Sequence, residues 1–229
     1  MIKKFINFFT DNNGKEVVHD PVVWYVQNIC KKTKNKDYLN KKIEEAKYVV
    51  IDTETTGIDI KKDAILSIAC IKIKNFRIIN IYNTFIDAEV KIPEESKKYH
   101  HIEDHHLKDK PKIYEIIPDL IKFIGADAVI VGHHIKFDFD ILNREIQKHF
   151  HTKLYNPTID TGHIYRFLNN TDESVSLDKI IEQYLSKVID RHSALGDALV
   201  TAEVFIKMIQ QLGKSFTTLK DLMGNGLLR

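Results

Sequence analysis

Cysteine is scarce. Only Cys30 and Cys70 occur in 229 residues, far apart and outside any CxxC spacing. That excludes a disulfide framework and points to free thiols in a reducing cytoplasm. Long apolar runs are missing too: none approaches the roughly 18–20 residues of a membrane span. The basic start over residues 1–10, with Phe5, Ile6, Phe8 and Phe9, is too short and broken for a secretory signal, and no small-residue cleavage site follows. Nor is there an excess of charge of one sign, since 34 Lys and Arg face 32 Asp and Glu for a net charge of +2. A protein that coats nucleic acid is usually more basic, so global charge argues neither for a nucleic-acid substrate nor against one. No internal repeat and no low-complexity block interrupts the chain. What remains, 43% hydrophobic and 29% charged residues, is ordinary for a soluble globular protein. The length suits one good-sized domain with an appendage.

Three segments are expected. Residues 1–46 are lysine-rich and helix-prone; Val22, Val23, Val26 and Ile29, with Trp24 and Tyr25, suggest one amphipathic helix. This helical N-terminal extension is read first as a packing or solubilising appendage and second as a surface for a protein partner. Residues 47–212 alternate strand and helix patterns. Apolar 48–51 ends in an acid, and 65–73 and 78–86 form a hairpin about a Lys-Asn-Phe-Arg turn. Helices follow over 113–124, 137–150, 176–185 and 193–212, with strands at 128–131 and around Ile159. The result is an α/β fold, a mixed sheet of a strand hairpin plus parallel strands flanked by helices. Residues 213–229 form a short tail with room for one more helical turn.

Three stretches carry chemistry. In Asp52-Thr53-Glu54-Thr55-Thr56-Gly57 the strand alternation sends Asp52 and Glu54 to one side. Two acids at the end of a buried strand repel each other unless a cation neutralises them, and hard divalent ions take oxygen ligands. In Gly132-His133-His134-Ile135-Lys136-Phe137-Asp138 a strand turns into a helix whose first turn holds Asp138. The helix dipole alone could account for an acid there. In His192-Ser193-Ala194-Leu195-Gly196-Asp197, Ser193 reads as an N-cap. The small-residue stripe Ala194, Ala198, Ala202 then lets the helix lie close to the sheet and brings Asp197 towards Asp52. Taken singly, Asp197 reads first as an exposed helix acid and His192 as a surface loop histidine. His101 and His105, at i and i+4, could chelate zinc if helical, although a solvated segment is the simpler reading.

Together and in this order, the three stretches resemble the three exonuclease motifs of the DEDDh family of 3′–5′ exonucleases, within the ribonuclease H-like superfamily. That family includes the proofreading epsilon subunit of the bacterial replicative polymerase. The resemblance covers about residues 47–212 and implies a ribonuclease H-like sheet. It also implies roles: Asp52, Glu54, Asp138 and Asp197 as ligands of two divalent ions (Mg²⁺ or Mn²⁺), His192 as general base, and Thr55, Thr56 and His134 against the terminal nucleotide. Asp160 matches a supporting aspartate rather than a chemical one, and His100 would lie at the site's rim. Two positions depart from the family's pattern. His134 stands where Asn is frequent, and Ser67 where Glu is frequent, which bears on nucleotide preference rather than on hydrolysis.

The implied reaction is hydrolysis at a free 3′ end, with two metals activating water and neutralising the leaving oxygen and an imidazole taking the proton near neutral pH. Single-stranded DNA is the favoured substrate and RNA the alternative. The rival readings are a non-catalytic nucleic-acid-binding module of the same fold, and a phosphoryl-transfer enzyme with Asp52 as nucleophile. The tail is too short for a long polymerase-tethering segment, which suggests a stand-alone or differently partnered enzyme.

Overall fold

The computed structural model describes residues 7–10, 16–185 and 191–229. Two short strands, β1 (Asn7–Thr10) and β2 (Glu16–His19), pair antiparallel with each other. The helix-prone reading of 1–46 did not anticipate this ribbon. Its aromatic and β-branched residues favour strand over helix. The helix of the extension is α1 (Pro21–Lys32). Asp20 accepts the Val22 amide at 2.8 Å and Pro21 opens the first turn, both ordinary start signals.

A five-stranded sheet follows, ordered β5-β4-β3-β6-β7. Its members are β3 (Lys47–Thr55), β4 (Ile65–Lys74), β5 (Arg77–Phe85), β6 (Ala128–Gly132) and β7 (Thr158–Asp160). The β3-β4-β5 meander is antiparallel, while β6 and β7 run parallel to β3. The hairpin turns as expected, with Asn75 and Phe76 both left-handed, the backbone shape of a two-residue turn that follows strand twist. Helices α2 (Glu94–His100), α3 (Asp104–Leu107) and α4 (Ile113–Ile124) lie between β5 and β6. Then come α5 (Lys136–Phe150), α6 (Thr161–Asn169), α7 (Leu177–Tyr184), α8 (Ala194–Leu212) and α9 (Leu219–Gly224).

Strand alternation divides the interior in two. Val49 and Ile51 of β3 point into a layer built with α1, α4 and α5, through Val26, Ile117, Leu120, Ile141 and Leu142. Tyr48 and Val50 point the opposite way, into a layer built with α6, α7, α8 and α9. Tyr38, Leu39 and Ile43 from before β3, and Leu219, Leu222, Leu227 and Leu228 from after α8, sit in that second layer. Residues on both sides of 46/47 and of 212/213 therefore share one core. Hydrogen bonds tie the ends in: Ile43 N–H donates to Thr217 C=O, and Arg229 N–H to Thr158 C=O, each at 3.0 Å. Among the described residues no helix is long and apolar enough to cross a membrane.

Candidate active site

The face of β3 that carries Tyr48 and Val50 continues through Asp52 and Glu54, so both acids point towards α8. Ser193 caps α8, its hydroxyl accepting the Gly196 amide at 3.1 Å. Ala194, Ala198 and Ala202 are buried against the sheet, and Asp197 sits in the first turn. Carboxylate oxygens of Asp52, Glu54 and Asp197 all lie within 4.8 Å of one another.

Asp138 arrives from the opposite layer. Thr53 points towards α5, and its amide (3.0 Å) and hydroxyl (2.6 Å) both donate to Asp138 Oδ1. Gly132 makes room for this approach: a Cβ there would stand 2.7 Å from Ile135 Cδ1 and 3.1 Å from the Ile51 carbonyl. The structure thus gathers three of the four expected acids into one tight group and bonds the fourth to the strand between the first two. Asp160 acts as support. It accepts the Ile135 amide at 3.1 Å and the Gly162 amide at 2.9 Å, fastening the turn before α5 to the start of α6.

Burial dominates the electrostatics. Desolvation first, then the charges of Asp138, Asp197 and Glu54, hold the Asp52 carboxyl well above the usual range. Glu54 is pushed up to about 7 by desolvation and by Asp197 and Asp138. Asp138 also reaches about 7 through desolvation, against the pull of its Thr53 bonds. Asp197 is raised by desolvation and eased down by Arg191. Arg191 was not singled out by sequence reasoning. Its guanidinium bonds Asp197 Oδ1 and reaches Asp178 Oδ1 at 2.7 Å, a cation lodged against the acids. Hard oxygen donors held together against their own repulsion suit a divalent ion such as Mg²⁺ or Mn²⁺, and the group can hold a metal.

These shifts set an expected pH dependence. Glu54 and Asp138, ordinarily at 4.5 and 3.8, both titrate near 7 in the folded chain, so the native state binds protons more tightly than the unfolded one. The stability their protonated forms provide is complete below about pH 4 and lost as pH rises through about 7. In EDTA the Tm should fall by several degrees, about 2–4 °C per kcal/mol, between about pH 5 and pH 8. Mn²⁺ should restore more of it at the higher pH. A flat melting profile in EDTA would show that the acids do not crowd one another.

The remaining expected residues fall in different settings. His192 is exposed in the loop before α8 with φ +65°, and its amide donates to Asp197 Oδ1 at 3.4 Å. His134 is exposed with φ +57°. Asn, Asp and His are enriched in that backbone region, so one geometry accommodates both the family's Asn and this chain's His. Thr55 is half-buried and donates to the Gly57 carbonyl at 2.6 Å. Thr56 is buried, and its hydroxyl donates to Asp63 Oδ1 (2.8 Å) while accepting the Ala64 amide (3.0 Å), so its side chain holds the loop. His100 is likewise buried, its Nδ1 accepting the Ile102 amide at 3.0 Å. The zinc pair fails as well: His101 ends α2 in a left-handed conformation and His105 belongs to α3. Among the described residues only Asp52, Glu54 and Asp197 form a metal-holding group of three or more. Sequence reasoning also missed Arg144, which holds the loop after the first motif by donating to the carbonyls of Ile60 and, at 2.7 Å, Asp63.

The RNase_T family model, described as Exonuclease, matches residues 49–205. The chain is 32% identical over 165 residues to DNA polymerase III subunit epsilon of Aquifex aeolicus, covering 72% of this chain and 81% of that protein. It is 34% identical over 168 residues to the PolC-type DNA polymerase III of Caldanaerobacter subterraneus subsp. tengcongensis, and there it spans only 12% of the polymerase. Among solved structures, exonuclease X in complex with 5′ overhanging duplex DNA shares the fold at a TM-score of 0.59 and 23% identity, over 72% of this chain and 93% of that one. E. coli exonuclease I with a dT13 oligonucleotide does so at 0.65 and 14%, over 75% and 43%. The chain belongs to the RNase_T exonuclease family, as a DEDDh nuclease related to the epsilon subunits of DNA polymerase III.

Proposed function

We propose that this chain hydrolyses phosphodiester bonds at nucleic-acid 3′ ends, DNA before RNA, and releases nucleoside 5′-monophosphates. The observation that carries the reading is the convergence of the Asp52, Glu54 and Asp197 oxygens within 4.8 Å, with Asp138 bonded to the intervening Thr53. Its support for DNA comes from relatives named as DNA polymerase III proteins and from neighbours of the same fold bound to DNA.

Two divalent ions, Mg²⁺ or Mn²⁺, held by Asp52, Glu54, Asp138 and Asp197 would lower the pKa of water and neutralise the leaving 3′ oxygen. The chain's own residues do the rest. The four carboxylates set the charge and shape of the cleft, and Thr53 fixes Asp138 within it. An imidazole nitrogen of His192 takes the proton of the attacking water as the new P–O bond forms and the bond to the 3′ oxygen breaks. Thr55, Thr56 and His134 lie against the terminal nucleotide. In this reading residues 47–212 are the catalytic segment, the core contacts of 38–46 and 219–229 brace it, and the rest of 1–46 offers a surface for a protein partner.

Matched DNA and RNA oligonucleotides labelled at their 5′ ends test this directly. With Mg²⁺ or Mn²⁺ the expected result is a ladder of labelled products shortening one nucleotide at a time, faster for single-stranded DNA. Immediate release of labelled mononucleotide would reverse the polarity, faster RNA decay would exchange the substrate, and no cleavage with either metal would leave a binding module.

A further inference from the structure

A sheet edge is a row of unpaired N–H and C=O groups, and folds blunt it with charge, proline or a covering segment. The two edges of this sheet are treated differently. Beside β7, Arg229 closes the edge by exchanging two hydrogen bonds with Thr158, at 2.7 and 3.0 Å. Beside β5, no strand among the described residues pairs. From Ile78 to Phe85 that strand holds no charged residue and no proline, yet Ile79, Ile81 and Phe85 are 54%, 47% and 37% exposed.

Two side-chain bonds reveal which backbone groups face outward. The Ile81 amide donates to its neighbour Asn80 Oδ1 at 2.9 Å, and the Phe85 carbonyl accepts the Thr84 hydroxyl at 2.9 Å. The odd-numbered residues therefore turn their backbone groups away from β4, and local side chains stand in for a missing strand. The ladder with β4 shifts register near the strand's start, where Lys72 pairs with Asn80 but Ile73 with Ile78, leaving Ile79 as an extra residue. The regular part of the edge begins at Asn80.

We propose that β5 is the interface between two copies of this chain, paired antiparallel about a two-fold axis at Asn83, so that their sheets run on as one. A second copy fits better than a foreign strand because the stretch is self-complementary. With Asn83 on the axis, Ile81 faces Phe85 on one side of the sheet and Tyr82 faces Thr84 on the other, aromatic and β-branched partners of the kind that stabilise antiparallel pairs. No charge from Asn80 to Ile86 is set against its own copy, as an isologous contact requires. Phe85 and Glu54 both pair with Ser67, so the carboxylate sites lie towards the ends of the β5 pair and each copy works alone.

Analytical ultracentrifugation of the full chain at micromolar concentrations should give twice the 26.6 kDa chain mass. Asn83→Lys, which opposes two charges on the axis at an exposed position, should halve that mass while leaving the circular dichroism spectrum and the turnover per chain unchanged. Asn83→Cys should form a covalent dimer on mild oxidation, whereas Ile58→Cys, also exposed but elsewhere, should not. A monomeric parent protein would overturn the proposal. So would a dimer that survives Asn83→Lys and does not cross-link through position 83.

Discussion

Asp52→Asn is expected to give a protein that melts at a higher temperature in EDTA than its parent, yet neither takes up Mn²⁺ nor turns over substrate. The two effects have one cause. Asp52 stands where desolvation and the charges of Asp138, Asp197 and Glu54 all disfavour its ionised form. An amide of nearly the same shape removes that charge, and the repulsion on its three neighbours falls with it. At about pH 8 the gain should be a few degrees, since about 1 kcal/mol moves the Tm of a chain this size by about 2–4 °C. The same substitution takes a carboxylate from the donor set. Metal stabilisation of transition-state charge is worth several kcal/mol and each 1.36 kcal/mol is tenfold in rate, so turnover should drop by about 10³ or more. Calorimetry showing unchanged Mn²⁺ affinity, or a lower Tm in EDTA, would remove Asp52 from the centre of the site.

That pairing of stability with function was partly legible before any coordinates. The alternation of an apolar run into Asp52 and Glu54 needs only the two-residue period of a strand, and the alanine stripe of α8 needs only the helical period. Both lead to a face where Asp197 meets β3, and the structure places it there. The positions missed depend on partners distant in sequence and carry no period of their own. Nothing near Thr53 announces that its hydroxyl will bond Asp138, 85 residues on. Arg144 reads as one more charge on α5 until the loop it holds folds back to it. Nor does adjacency to the acids show that the turn after β3 rolls the Thr56 hydroxyl inward to Asp63. Nor does the short tail after residue 212 announce that its Leu219 and Leu222 return to the same core.

His192 is where chemistry and support can be separated, and its variants carry the second large effect. Its residue lies in the left-handed region and its amide leans on Asp197 Oδ1, so a substitution there can act through the loop as well as through the imidazole. Alanine removes the base and also strains the backbone, because a Cβ-bearing residue without a polar side chain disfavours positive φ. Asparagine tolerates that conformation and still lacks a titrating ring. If His192 takes the proton from water, His192→Asn and His192→Ala should both lose about 10²–10⁴-fold in kcat, the usual range for general-base help. Mn²⁺ affinity should stay near the parent value in the asparagine variant, because the amide that touches Asp197 belongs to the backbone. If instead the residue serves only to shape the loop, asparagine should keep most of the activity that alanine loses. Two equally slow variants, one with its metal affinity intact, point to the imidazole, whereas an active His192→Asn protein would move the base elsewhere.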